Sequence, residues 1–123
     1  MPESTEKIQG KPVGSKEELW LSKALYKLRH SFEYQAEFHN GRRVRGGQVI
    51  DWMVNSTVPL PTPVFFHGDY WHEGDMGQED RFKFIQVEQD LKGSTNPLVI
   101  FWQKDVSSQE DADRVILQRL GTG

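Results

Sequence analysis

Residues 98–102 read Leu-Val-Ile-Phe-Trp, and this unbroken apolar run is the stretch that decides the fold. A strand with one face in water alternates polar and apolar side chains, whereas a run without a polar member suits a central strand covered on both faces. Just before it, Gly93 to Pro97 supply the breakers that end a preceding element. That element carries Phe84, Val87 and Leu91 at helical spacing and predicts a helix from about Gln78 to Lys92. Before the helix, residues 64–67 (VFFH) read as a short buried strand closed by Gly68. Strand, helix and strand between residues 64 and 102 predict a parallel pair joined by a right-handed crossover.

The elements upstream follow from the same periodicities. Residues 32–38 (FEYQAEF) alternate as a half-exposed strand does, and Asn40-Gly41 marks a turn after them. Residues 48–54 (QVIDWMV) form a mostly apolar strand interrupted by one acid, and the proline-rich stretch from Pro59 to Pro63 predicts a loop. Leu21, Leu25 and Leu28 recur at helical spacing, with Lys16, Lys23 and Lys27 placed to face water, predicting a helix from about Lys16 to Arg29. Ser107 or Ser108 can cap a last helix bearing Ala112, Val115, Ile116 and Leu120. Residues 1–13 are polar and aperiodic and read as a flexible lead-in, leaving residues 14–123 as one domain. The expected class is α/β: a mixed four-stranded sheet flanked by helices in the order α-β-β-β-α-β-α.

Composition narrows the function classes. A chain of 123 residues with seven Phe, four Trp and three Tyr has material for one modest core. It has no cysteine, which excludes disulfides and thiolate zinc sites. No apolar run approaches the roughly 18–20 residues a membrane helix needs, and no charged-then-apolar signal segment is read, so a cytoplasmic protein is expected. The net charge of −3 gives no global attraction to nucleic acid, but Arg42, Arg43 and Arg45 crowd one short segment. Such a cluster suits a phosphate backbone and equally a solvated loop.

Polar residues on apolar faces mark the places where pattern gives way to function. Asp51 lies mid-strand between Ile50 and Trp52, where a carboxylate must be paired, protonated or bound to a cation. Glu18 extends the apolar stripe of the first helix, and it also completes a capping box with Ser15. Asp80 precedes Phe84 and Val87 by helical steps and equally suits the positive end of its own helix. His67 and His72 bracket Gly68-Asp69-Tyr70-Trp71 directly after the VFFH strand. Two imidazoles so placed can ligate a metal, form a base with an orienting partner, or serve as hydrogen-bonded loop residues. His67, Asp69 and His72 also offer donors for zinc, although their spacing matches no recognised zinc motif. No phosphate-binding glycine loop and no nucleophile elbow is present.

Taken in order, these features resemble one family. A helix with an early Glu, then Gly46-Gly47-Gln48-Val49-Ile50-Asp51-Trp52, then Val64-Phe65-Phe66-His67-Gly68-Asp69-Tyr70-Trp71-His72, then a helix and an apolar strand, look like the PD-(D/E)XK nucleases. Within that superfamily the resemblance is to the very-short-patch-repair (Vsr-like) branch, the EDxHD homing endonucleases and small phage nucleases. It covers about residues 14–120, and its most specific part is the His-Gly-x-aromatic-Trp-His string.

The resemblance implies a restriction-endonuclease-like fold and a Mg²⁺-dependent endonuclease, with Mn²⁺ as a substitute, that hydrolyses DNA phosphodiester bonds by nicking or double-strand cleavage. It makes Asp51 the principal metal ligand and adds the carbonyl of Phe66, which replaces a second strand carboxylate. His67 would touch the scissile phosphate or position water, and His72 would be the general base or acid. Glu18 would hold a metal-bound water, and Asp80, with Glu79 or Glu73 as substitutes, would be the later carboxylate. Asp69 stands where the repair enzymes carry a poor magnesium ligand, which makes it an additional metal candidate. Arg42, Arg43 and Arg45 would grip the DNA backbone. The cysteine zinc site of the repair enzymes cannot form here, so mismatch repair is not the expected task. A phage-encoded enzyme acting in the host cell, or the catalytic module of a homing endonuclease, fits; sequence specificity would then need a homodimer, a partner protein or a further DNA-binding domain. The competing expectation is a catalytically silent relative that binds DNA or a protein partner.

Overall fold

The computed structural model describes residues 7–38, 48–68 and 78–123, with the backbone alone described at 37–38, 48 and 78–83. The described elements run β1 (Lys7–Ile8), β2 (Lys11–Pro12), α1 (Lys16–Lys27), β3 (Phe32–Phe38), β4 (Gln48–Val54), β5 (Thr62–His67), α2 (Gln78–Leu91), β6 (Val99–Trp102), a 3₁₀ turn (Gln103–Asp105) and α3 (Gln109–Leu120). Strands β3 to β6 form a mixed sheet in that spatial order. The β3–β4 and β4–β5 pairs are antiparallel, and β5–β6 is parallel, with α2 as the crossover between them.

Helices cover both faces of this sheet. On one face Leu21, Ala24 and Leu25 of α1 and Ala112 and Ile116 of α3 pack with Tyr34, Trp52, Val54, Val64, Val99 and Phe101. A second cluster joins Phe84 and Val87 of α2 to Phe65, Ala36 and Ile50, with Met53 and Ile100 against it. The α/β class with a four-stranded mixed sheet is therefore as expected from the sequence. One expectation is corrected. The apolar run at 98–102 is covered on both faces, but among the described strands β6 lies at the edge of the sheet, beside β5 alone. Its uninterrupted hydrophobicity reflects the helices above and below it and not a flanking strand.

The helix ends follow local chemistry. Ser15 caps α1 by accepting the Glu18 amide at 3.2 Å, and Ser108 caps α3 by accepting the Asp111 amide at 3.1 Å. At the other end of α1, Arg29 takes a left-handed conformation while His30 donates its amide to Leu25 and Arg29 to Tyr26, a Schellman closure. That closure delivers the His30 ring into the interior, where it is 4% exposed and bonded through Nδ1 to Ser56 Oγ and through Nε2 to the Gly121 carbonyl. Replacing His30 with Ala removes both bonds and opens a void. The expected cost is about 2–3 kcal/mol, read as a lower urea midpoint, and an unchanged midpoint contradicts it.

Residues 7–12 carry more structure than the lead-in reading assigns them. Gln9 and Gly10 have φ of 54° and 81°, the positive values of a two-residue hairpin turn, and Ile8 is buried. The side chain of Gln9 then bonds the edge strand β3 as a peptide group would, donating to Phe32 O at 2.6 Å and accepting from Tyr34 N at 2.8 Å. With one apolar residue in four paired positions, the hairpin has no periodicity to read. Strand β5 likewise begins at Thr62 and not after the prolines. Pro63 fits because the strand pairing there, opposite Met53, can do without its missing N–H. Among the described residues no helix is long and apolar enough to cross a membrane.

A candidate active site at a fork in the sheet

The β4–β5 pairing runs from Val54↔Thr62 to Trp52↔Val64 and ends there. Beyond that point β5 continues with β6, pairing Phe66↔Phe101 and His67↔Trp102. The next residue of β4 is Asp51, and its Oδ2 accepts the Phe66 amide at 2.9 Å. The carboxylate thus takes over where the ladder stops. Trp52 enters the core under α1 and α3, whereas Ile50 packs in the α2 cluster, so the alternation of β4 is interrupted at Asp51 between them. Asp51 and the Phe66-His67 segment, fifteen residues apart in sequence, are joined at the fork.

The other neighbour of Asp51 is irregular as well. The β3–β4 register pairs Tyr34 with Trp52 and Ala36 with Ile50, and skips Gln35, the residue opposite Asp51. Gln35 has φ of 54°, a left-handed conformation that costs a residue with a Cβ about 1–2 kcal/mol. Lys11 Nζ holds this segment by donating to Tyr34 O at 2.7 Å and Gln35 O at 3.2 Å. Asp51 therefore lies between two interruptions of the ladder, one on each side.

Glu18 is anchored on the adjacent strand. Its Oε1 accepts the Tyr34 hydroxyl at 2.7 Å, and Oε2 accepts the Ser15 hydroxyl at 3.3 Å. The Tyr34 oxygen accepts the Gly14 amide at 3.2 Å. Burial, and then the neighbouring Glu18 carboxylate, push the Tyr34 phenol well above its ordinary pKa, so it remains a donor. The capping-box reading of Glu18 is half right: its amide does bond Ser15, but its carboxylate reaches across to β3.

His67 closes β5 with its ring 5.1 Å from Trp102 and 6.3 Å from Phe84. Phe84 belongs to α2, and Asp80 stands one helical turn earlier in the same helix, followed by Phe65–Phe84 ring contact at 4.9 Å. Of the sequence-predicted site, Asp51 and the Phe66 peptide come together, His67 is the next residue of β5 with its ring toward Trp102 and Phe84, and Glu18 is fixed one strand away. The side chains of Glu79 and Asp80 lie outside the described residues, as do Arg42, Arg43, Arg45, Asp69, His72 and Glu73. Among the described residues no three His, Asp or Glu side chains form a metal-binding group. What the sequence reading missed is Tyr34, Gln35, Lys11 and Gly14. Tyr34 and Gln35 look like ordinary members of an alternating strand, and a left-handed residue inside a strand has no sequence signal. Comparison with protein-family models, curated proteins and solved structures finds no match for this chain.

Proposed function

We propose that this chain is a metal-dependent DNA endonuclease of the PD-(D/E)XK type, close to its Vsr-like and EDxHD branch, with Asp51 at its centre. The observation that carries the reading is the fork, where the Asp51 carboxylate replaces the ladder and bonds the Phe66 peptide. A carboxylate set at a break in the sheet, where it accepts a peptide N–H in place of a ladder bond, suits a cation ligand. The order of helix, three antiparallel strands, crossover helix and parallel strand supports it too, since the resemblance implies that order.

The donors present fit a hard cation better than zinc. Asp51 and Glu18 offer carboxylate oxygens and the Phe66 peptide a carbonyl, the ligand chemistry of Mg²⁺ or Mn²⁺. When bound, the ion supplies a more acidic water and charge stabilisation at phosphorus. The chain's own residues do the rest. Asp51 and the Phe66 carbonyl would hold the cation, and Glu18 would hold a water beside it. His67 contacts the scissile phosphate or orients the water, and His72 moves the proton, with Asp80 as the later carboxylate and Asp69 as an additional ligand. Arg42, Arg43 and Arg45 bind the DNA backbone.

Supercoiled plasmid tests this. Incubation with the protein and Mg²⁺ or Mn²⁺ is expected to give nicked or linear DNA, and none when the ion is chelated. Intact plasmid across both metals refutes the enzyme and leaves the silent DNA- or protein-binding relative as the reading.

A further inference from the structure

We infer that Tyr34 and Gln35 of β3 position the two acids of the proposed site, Tyr34 by holding Glu18 and Gln35 by breaking the ladder opposite Asp51. The inference rests on the nuclease reading for the use made of the two carboxylates, but the positioning itself is a property of the metal-free chain.

The hydrogen bonds around Tyr34 have a direction. A phenol has one proton to give. The Gly14 amide donates to its oxygen, and the proton goes to Glu18 Oε1, at the 2.7 Å of a charge-assisted contact. The second carboxylate oxygen is held by the helix-capping Ser15. Glu18 is thereby fixed at both oxygens on a ring that is itself fully buried, 6.0 Å from Trp52. Gly14 completes the cradle: a Cβ there would come within 2.7 Å of Glu18 Oε2, so only glycine lets the carboxylate sit where Tyr34 holds it.

Gln35 follows Tyr34 directly and links this cradle to Asp51 through the backbone. Its left-handed conformation removes it from the ladder at the one register position opposite Asp51. Lys11 bonds the carbonyls of both residues and so holds the strained segment from the N-terminal hairpin. A strained residue held by long-range contacts, between two groups of one proposed site, is where positioning is expected.

The test follows Glu18 in two ways. One is the ¹³C resonance of its side-chain carboxyl in metal-free protein. The other is the Mg²⁺ concentration that half-activates plasmid nicking, measured beside the rate at saturating Mg²⁺. Tyr34→Phe keeps the buried ring. It is expected to shift the Glu18 resonance and to raise the half-activating Mg²⁺ about tenfold, the worth of one charge-assisted hydrogen bond. Gly14→Ala, which crowds the same carboxylate without touching the phenol, is expected to do both as well. Gln35→Val, whose branched Cβ opposes a positive φ, is expected to move the Asp51 carboxyl resonance, whereas Gln35→Gly, which keeps the backbone, leaves it in place; an unmoved Asp51 resonance in Gln35→Val overturns the Gln35 half of the inference. Tyr26→Phe, on an exposed ring, changes nothing. An unmoved Glu18 resonance in Tyr34→Phe overturns the inference, as does a wild-type Mg²⁺ requirement in that variant. Absence of nicking by the wild type removes the nuclease reading alone, because the resonance still decides the positioning.

Discussion

Trp52→Ala is expected to lower stability by about 3–5 kcal/mol, the largest loss from any single side chain here. Trp52 is fully buried and stands in the β4 register where three strands meet, paired with Tyr34 on β3 and Val64 on β5. Its indole Nε1 donates to the Ser22 hydroxyl at 2.8 Å, which ties the sheet to α1 inside the core. Truncation therefore opens the largest void the core can offer and also strands a buried hydroxyl. Against a typical total stability of about 5–15 kcal/mol this is a large fraction. With a urea slope of about 1–3 kcal/mol per molar, the midpoint should fall by roughly 2 M. A fall of less than about 0.5 M contradicts the packing described. Trp52→Phe separates the two contributions, since it keeps most of the volume and loses the Ser22 bond.

Asp51→Asn is expected to cut metal-dependent nicking at least about a thousandfold while leaving the fold intact. The amide oxygen of Asn can still accept the Phe66 N–H, so the bond at the fork survives. What is lost is the negative charge. A bound cation contributes several kcal/mol to phosphoryl chemistry, and each 1.36 kcal/mol is a factor of ten in rate. The substitution thus distinguishes a carboxylate kept for its charge from one kept for its hydrogen bond. If the charge served only the fold, Asn would alter stability and leave any nicking at the wild-type rate.

Much of this architecture is legible in the sequence, for physical reasons. The strands at 32–38 and 48–54 come out with the bounds expected, because alternation is a direct trace of burial. The helices at 16–27 and 109–120 are recognisable from a serine cap and an apolar stripe. The edge position of β6 is less legible, since an apolar run reports coverage of its faces and says nothing of its lateral neighbours. The N-terminal hairpin is hidden because Gln9 works through a side-chain amide that imitates backbone, which no pattern encodes.

The site divides along the same line. Asp51 stands out because a charge in an apolar strand violates the local pattern, and the fork explains how it is accommodated. Glu18 is visible, but its capping box conceals that its carboxylate belongs to Tyr34. The left-handed conformation at Gln35 is held by a tertiary contact from Lys11 and has no counterpart in composition or spacing. The geometry around the proposed site is carried by residues that look ordinary in the sequence.

The central claim, that this is a metal-dependent nuclease organised around the Asp51 carboxylate, is tested most directly by one comparison. Wild-type protein and Asp51→Asn, shown to have the same circular dichroism and unfolding free energies in urea within about 1 kcal/mol, are incubated with supercoiled plasmid and Mg²⁺. The account predicts nicked or linear product from the wild type and none above background from the variant. Equal product from both proteins, or none from the wild type with either Mg²⁺ or Mn²⁺, contradicts it.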